Sequence, residues 1–243
     1  MRPIDIFMTS WKRPDMTIQS IDSIIERTTP GTYKIHVLDN ESSPETQAVL
    51  LKYLNEKKIE SVTLHNTNTR CLWGKLVFQA MSCSDDKYYV VTDNDILPPK
   101  TSPDWLSQMV TLMDKKTDIA FLTPQLPPQG LQMPFAKDDD VVYCKAVGNT
   151  FKMVRRESYP WDKYNQNMES FGDDGLVSEL VAEKGWKVAF CRNLYCWHSG
   201  QTTNWGYKPE DLSKDPRKAG YGEPYKYTPE NMDTFLPPPE LRL

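Results

Sequence analysis

Short apolar runs alternate with amphipathic stretches through the first half of the chain. Ile4 to Met8 is an apolar run of strand length, followed by the polar segment Thr9-Ser10-Trp11-Lys12-Arg13-Pro14. Pro14 suits the first turn of a helix, and Met16, Ile18, Ile21, Ile24 and Ile25 recur near helical spacing up to Arg27. Thr29-Pro30-Gly31-Thr32 breaks that pattern. Tyr33 to Leu38 predicts a second strand, ending at Asp39-Asn40-Glu41-Ser42-Ser43. Ser43 as cap and Pro44 at the first position open a second helix, with Val49, Leu50, Tyr53 and Leu54 on one face. Val62-Thr63-Leu64 predicts a short third strand, and Leu72 to Met81 a helix. Lys87 to Thr92 holds Tyr88-Tyr89-Val90-Val91, a buried strand that stops at Asp93-Asn94-Asp95.

The second half is mixed. Ser102-Pro103-Asp104 caps a helix through Trp105, Met109, Val110 and Met113, and Ile119 to Leu122 is a strand. Pro124 to Pro134 reads as a loop, and Val141 to Val154 as strand material interrupted at Gly148-Asn149. Gly172-Asp173-Asp174-Gly175 opens a helix to Glu183-Lys184, which Gly185 stops. Trp186 to Phe190 is a strand, followed by Tyr195-Cys196-Trp197-His198. The segment 201–243, rich in Pro, Gly and Tyr and without periodicity, reads as an irregular wrapping tail or lid.

The βαβαβαβ order implies an α/β fold with a mostly parallel sheet and helices on both faces. Such sheets bind ligands beyond the carboxyl ends of their strands. The polar clusters 9–13, 39–42 and 93–95 all fall at those ends. A length of 243 residues suits one large domain built of two halves. We read 1–98 as the ligand-binding, donor half, 99–200 as the acceptor-binding, catalytic half of the same domain, and 201–243 as the tail.

Composition narrows the function. Lys plus Arg is 29 and Asp plus Glu is 33, a net charge of −4, which excludes holding nucleic acid by bulk charge. Lys152, Arg155 and Arg156 form a local basic cluster that keeps nucleic acid open as a partner. At 39% hydrophobic and 11% aromatic residues the chain is too apolar for disorder. No run approaches 18 apolar residues, so no membrane span is expected. The first apolar run is broken by Asp5 and followed by Lys12 and Arg13, unlike a signal peptide. The expectation is a soluble cytoplasmic enzyme. The five cysteines, Cys71, Cys83, Cys144, Cys191 and Cys196, form no CxxC pair, and reduced buried thiols explain them better than zinc or disulfides.

Asp93-Asn94-Asp95 is the sharpest chemical feature. Four apolar residues carry the chain through a core and then present two carboxylates at the strand end. One can reach a divalent cation, the other a ribose hydroxyl or a water on that cation; Mg²⁺ and Mn²⁺ take hard oxygen ligands and share substrate phosphates. A solvated turn is the plain alternative.

Taken with Thr9-Ser10-Trp11-Lys12-Arg13-Pro14 and Asp39-Asn40-Glu41-Ser42-Ser43 after their strands, Tyr89-Val90-Val91-Thr92-Asp93-Asn94-Asp95 resembles the GT-A glycosyltransferases, most similar to the family-2 type. The resemblance covers roughly residues 3 to 200 and implies a GT-A, Rossmann-like fold and a nucleotide-sugar donor, UDP-linked or GDP-linked, with Mn²⁺ or Mg²⁺. It places Thr9, Ser10 and Arg13 near the nucleotide, Asp39 on the base, and Asp93 and Asp95 on ribose and metal, with Asn94 between them. Where the family often has Asn and Gly followed by Ala-Arg-Asn, this chain has Asn68-Thr69-Arg70-Cys71-Leu72-Trp73-Gly74-Lys75, and Lys75 is the candidate for the phosphate or base role. The resemblance also gives a meaning to Phe171-Gly172-Asp173-Asp174, one helix before Gly185-Trp186-Lys187. An inverting transfer needs a carboxylate to take the acceptor hydroxyl's proton. Asp174 falls on that base, or Asp173 with a shift of one. Acids also favour a helix N-terminus for its dipole alone. Trp197-His198-Ser199-Gly200 is the third signature, and His198 would complete the metal site. His36 and His65, in or beside strands, read as structural. In the tail, Trp205, Tyr207, Tyr221, Tyr225 and Tyr227 are candidates to stack on sugars; Trp161 and the 124–134 loop are weaker acceptor contacts.

The expected activity is therefore metal-dependent, inverting sugar transfer to an acceptor hydroxyl, on a glycan by default. A nucleotidyltransferase would need a Gly-rich phosphate loop, and Met1 to Pro30 contains no glycine. A non-catalytic nucleotide-sugar or glycan-binding protein of the same fold would keep Asp93 and Asp95 but dispense with Asp173 and Asp174.

Overall fold

A computed structural model describes residues 2–66, 84–126, 134–160 and 174–202, together with Gly74, Ala80 and Ser82. The polar-to-apolar pattern sets its elements. β1 (Ile4–Ser10) leads through a tight turn to α1 (Pro14–Arg27), with Pro14 in the first turn. β2 (Tyr33–Asn40) leads to α2 (Pro44–Asn55), where the Ser43 hydroxyl accepts a hydrogen bond from Thr46 N and so caps the helix. β3 (Ser61–His65), β4 (Tyr88–Asp93) and the two-residue β5 (Ile96–Leu97) follow. α3 (Trp105–Lys115) is capped by Asp104, whose Oδ1 accepts from Ser107 N at 2.9 Å. Then come β6 (Ile119–Gln125), β7 (Pro134–Lys137), β8 (Val141–Cys144), β9 (Phe151–Arg155), α4 (Asp174–Glu183), β10 (Lys187–Tyr195) and β11 (Trp197–His198). Gly185, at φ 85°, supplies the left-handed turn that ends α4.

Among the described residues, nine strands form one sheet in the order β3-β2-β1-β4-β9-β6-β10-β8-β7. β9 runs antiparallel to both β4 and β6, and β8 antiparallel to both β10 and β7; the other seven strands point one way. The sheet is thus mostly parallel, as the βαβ order predicts, and β9 welds its two halves. Alternate residues of β1 serve opposite faces. Ile4, Ile6 and Met8 join the core with Ile21, Ile24, Leu50, Met109 and Met113 from α1, α2 and α3. Phe7 joins Tyr89, Val91, Phe121 and Val154 on the other face, packed with Val177 and Val181 of α4.

Several boundaries differ from the sequence reading. β1 continues through Thr9 and Ser10, and β2 through Asp39 and Asn40, because these polar residues still pair across the ladder: Thr9 faces Leu38 and Ser10 faces Asp39. Pro124 and Gln125 belong to β6, and Pro134 opens β7, so 124–134 is not loop throughout. The Gln125 amide holds β6 to the β10 backbone, donating to Arg192 O at 2.6 Å. Gly74, Ala80 and Ser82 are helical; the rest of the predicted 72–81 helix, apart from those positions, lies outside the described residues. Cys144, Cys191 and Cys196 are buried free thiols, as expected; Cys71 and Cys83 lie outside the described residues. His36 is structural: it stacks on Phe7 and its ring nitrogens meet Asp5 Oδ1 at 3.1 Å and Ser61 Oγ at 2.8 Å.

Candidate active site

The carboxyl ends of β1, β2 and β4 lie side by side, because β1 pairs with both neighbours in parallel register. Thr9 opposes Asp93 across that register, and its hydroxyl donates to Asp93 Oδ1 at 2.8 Å. Two residues on, Asp95 is almost fully buried at 2% exposure. Arg13 reaches it from the β1–α1 turn, with Nη1 2.7 Å from Asp95 Oδ2. The other Arg13 nitrogen, Nη2, donates to the Asn94 side-chain oxygen, and the Asn94 amide donates to Thr17 Oγ1 at 2.7 Å. Asn94, itself buried, therefore holds the guanidinium in place from below.

His198 arrives from far along the chain. β11 pairs antiparallel with β5, placing His198 opposite Ile96 and Trp197 opposite Leu97. Ser199 locks this ribbon, donating from both N and Oγ to the Asp95 carbonyl at 2.9 and 3.0 Å. His198 Nε2 then lies 3.4 Å from Asp95 Oδ2, with both side chains 2% exposed.

Charge is distributed unevenly over the two carboxylates. Burial, together with the Asp95 charge, pushes the Asp93 carboxyl well above the usual range. Burial acts against the Asp95 charge too, but the Arg13 guanidinium and His198 outweigh it and hold Asp95 far below that range. The two carboxyls are thus pushed in opposite directions, Asp95 toward its ionised form and Asp93 toward its protonated one, which Asp-x-Asp spacing alone does not reveal.

Asp39, on β2, is fully buried. Its Oδ2 accepts from Ser42 N at 3.1 Å and Gln47 Nε2 at 3.2 Å. Asp39 Oδ1 and its neighbour Ser10 Oγ are buried without a hydrogen-bond partner among the described residues. Such atoms are costly unless something completes them. The Ser42 hydroxyl accepts from Lys12 N at 2.6 Å, tying the β2–α2 loop to the β1–α1 turn. Lys12, Arg13 and Glu41 all adopt left-handed backbone, at φ 54°, 54° and 61°, so three non-glycine residues in a sparsely allowed region gather at one edge of the sheet.

The fit of a divalent cation can be tested on these atoms. Asp95 Oδ1 is buried and has no hydrogen-bond partner among the described residues, and the carboxylate–imidazole pair is a donor set that suits Mn²⁺. The 3.4 Å between His198 Nε2 and Asp95 Oδ2 is close to the roughly 3 Å between neighbouring ligands of an octahedral ion with bonds of about 2.1 Å. Among the described residues no set of three His, Cys, Asp or Glu side chains converges to hold a metal ion. Asp95 and His198 are the side chains that could contribute to the shell of such an ion, with the remaining positions left to phosphate and water oxygens.

The structure brings together Thr9, Arg13, Asp93, Asn94, Asp95 and His198, with Ser10 and Asp39 on the adjoining strands. Asp174 opens α4, but its side chain, like Asp173 and Lys75, lies outside what is described. So do Trp161, Trp205, Tyr207, Tyr221, Tyr225 and Tyr227. Lys152 and Arg155 are each 1% exposed, so the basic triplet is not the surface patch its sequence suggests. Sequence reasoning missed Thr17 and Gln47, and gave no separate role to Ser42 and Ser199 within the motifs that hold them; all four position the site. Thr17 was open to notice, as a threonine one turn after Arg13 on the same helix.

Comparison with known proteins bears on the family and the fold. Residues 5–132 match the model of glycosyl transferase family 2. Protein CgeD of Bacillus subtilis (strain 168) is 27% identical over 123 residues, 47% of this chain and 27% of that protein. A crystal structure of GalNAc-T7 with UDP, GalNAc and Mn²⁺ has a TM-score of 0.61 at 12% identity, covering 82% of this chain and 44% of that one. The mannosyltransferase PcManGT from Pyrobaculum calidifontis, in complex with GDP-Man and Mn²⁺, has a TM-score of 0.61 at 14% identity, covering 91% and 62%. S. aureus TarS 1-349 scores 0.56 at 15% identity, covering 81% and 58%. The chain thus spans less than two thirds of each of these relatives, and the structural likeness is one of GT-A fold. The family match runs over more than half of the chain and takes in the strand ends that carry Thr9, Arg13, Asp39, Asp93 and Asp95: the chain belongs to glycosyl transferase family 2.

Proposed function

We propose that the protein transfers a sugar from a nucleotide-diphosphate sugar to an acceptor hydroxyl, with inversion, and that the acceptor is a glycan. The observation that carries this reading is the meeting of a buried Asp95, with its unpartnered Oδ1, and His198 beside Thr9, Arg13, Asp39 and Asp93 at the carboxyl edge of the sheet. UDP and GDP sugars are the donors to test, UDP first: of the structurally similar proteins, GalNAc-T7 was solved with UDP and GalNAc, and PcManGT with GDP-Man.

In this reading Asp39 and Ser10 face the base through their uncompleted oxygens, and Asp93 takes a ribose hydroxyl. Asp95 and His198 hold a divalent cation, which when bound offsets the charge that builds on the diphosphate leaving group. Arg13 supplies a forked donor for phosphate oxygens. Asp174, or Asp173 beside it, accepts the proton of the acceptor hydroxyl as that oxygen forms its bond to the anomeric carbon. The bond from that carbon to the diphosphate breaks in the same step, and its electron pair leaves with the diphosphate.

The test is a thermal-shift panel of UDP, GDP, CMP and dTDP and their sugars, with Mn²⁺ and with chelator. A ligand that binds the native state raises the melting temperature by mass action. One nucleotide should give a Mn²⁺-dependent shift that Asp95→Asn abolishes. Asp174→Asn should lose at least a hundredfold in transfer while its donor-induced shift persists. A donor shift with no transfer to any sugar acceptor would convert the reading to a binding protein of the same fold.

A further inference from the structure

We infer that Arg13 is a built-in competitor of the divalent cation for Asp95, so that cation binding is conditional on a diphosphate that draws the guanidinium away. The inference rests on the cation reading proposed above and goes beyond it by assigning a switch to the same cluster.

The contested atom is Asp95 Oδ2. Arg13 Nη1 lies 2.7 Å from it, and His198 Nε2 lies 3.4 Å from the same oxygen. A cation shared by Asp95 and His198 would occupy the neighbourhood that the guanidinium already fills. Both partners of the existing pair are shielded from water, Arg13 at 8% and Asp95 at 2% side-chain exposure. Like charges repel strongly at such short range where water cannot screen them. The guanidinium and the cation therefore exclude one another from this carboxylate.

The same geometry gives Arg13 somewhere to go. It is the residue immediately before α1, in left-handed backbone, and α1 begins at Pro14. A guanidinium in that turn stands at the mouth of a helix N-terminus, where phosphates are favoured. Its fork matches phosphate oxygens bidentately, and a diphosphate carries more charge than one carboxylate. When Arg13 turns to phosphate, Asp95 Oδ2 becomes free to join Oδ1 as a ligand. Asn94 steadies the guanidinium in its Asp95-bound position through Nη2 and is anchored in turn by Thr17. The nucleotide then favours the cation twice, by supplying phosphate oxygens and by removing a competitor.

Linkage makes this measurable, because nucleotide and cation must raise each other's affinity by the same factor. Mn²⁺ binding is titrated by calorimetry and by the electron paramagnetic signal of free Mn²⁺, with Mn²⁺ alone and at saturating UDP or GDP. The wild type should bind Mn²⁺ at least tenfold more tightly with nucleotide than without. Arg13→Gln should bind Mn²⁺ alone at least tenfold more tightly than wild type, and nucleotide should add correspondingly less. Arg13→Lys, which keeps the charge, should stay within a few-fold of wild type. A merely structural Arg13 predicts weaker, not stronger, Mn²⁺ binding on substitution. If Arg13→Gln binds Mn²⁺ no more tightly than wild type, or if wild type binds Mn²⁺ equally well with and without nucleotide, the switch is overturned while the cation site stands. Where Arg13→Gln does not fold, Arg13→Met takes its place in the same titration, with the same gain in affinity for Mn²⁺ alone expected; a wild type indifferent to nucleotide overturns the switch by itself. If wild type binds no Mn²⁺ even with nucleotide, the cation reading itself is overturned, and the switch with it.

Discussion

Arg155 illustrates how differently a buried cation behaves away from the strand ends. Its guanidinium donates to the carbonyls of Ile119, Met113 and Lys116 and to the Tyr88 hydroxyl, and it lies 5.2 Å over the Tyr88 ring. Met113 and Lys116 are the last turn and C-cap of α3, so one side chain ends that helix and fastens it to β6 and β9. Removing it strands several buried carbonyls. Arg155→Met should lower stability by about 3 kcal/mol, and the melting temperature by roughly 6 to 12 °C, on a differential scan. Arg155→Lys should restore little, since an ammonium cannot span four acceptors set out for a planar fork. None of this was legible in the sequence, where Lys152, Arg155 and Arg156 read as a basic cluster. The partners that bury a charge are backbone carbonyls tens of residues away, which leave no trace in local composition. The Arg13–Asp95 pair was hidden for the same reason: each residue was readable as part of the site, but their contact depends on strand register.

Helix ends, by contrast, were almost fully legible. Ser43-Pro44 and Pro14 set the starts of α2 and α1 to the residue, because capping chemistry is local. Ser43→Ala should cost about 1 kcal/mol, read as a lower midpoint in urea with an unchanged slope. The strand ends were legible only in part: polarity suggested that β1 stops at Met8, whereas ladder pairing extends it to Ser10. The two-residue strands β5 and β11 are too short for any periodicity to show. α1 and α2 are also joined by a titratable tether. The Tyr53 hydroxyl on α2 donates to both oxygens of Asp22 on α1 at 3.0 Å. Burial, then the Asp22 hydrogen bond and charge, push Tyr53 up to about 12. A folded-state value above the unfolded one of about 10 stabilises the fold fully below pH 10, and that contribution is lost as pH rises through 12. The stability gap between wild type and Tyr53→Phe should therefore close between pH 10 and 12; a gap that is flat across that range would show that the tether carries no free energy.

Across the molecule, β9 decides the architecture. It is hydrogen-bonded to β4 on one side and β6 on the other, so the sheet is continuous from β3 to β7. The βαβ order foretold the parallel half, but no local pattern announces that a later strand will insert in reverse beside β4. A continuous sheet predicts that its two halves unfold together. Urea transitions followed by far-ultraviolet dichroism and by tryptophan fluorescence should coincide, and two separated transitions would show that the halves at 1–98 and 99–200 are independent units.

The locking of Ser199 and His198 onto the strand end at Asp95 joins residues 104 positions apart in the chain. Arg13 and Asp95, 82 apart, are both present much earlier during synthesis. At ~5 to 20 residues per second, a ribosome needs about 5 to 20 s more to reach His198. Through that interval the nascent chain already has Arg13 available to neutralise Asp95, and it lacks the imidazole that would complete a cation site. In the cation reading proposed above, the imidazole ligand is thereby the last part of the site to be made, and it exists only once the chain has been made through β11.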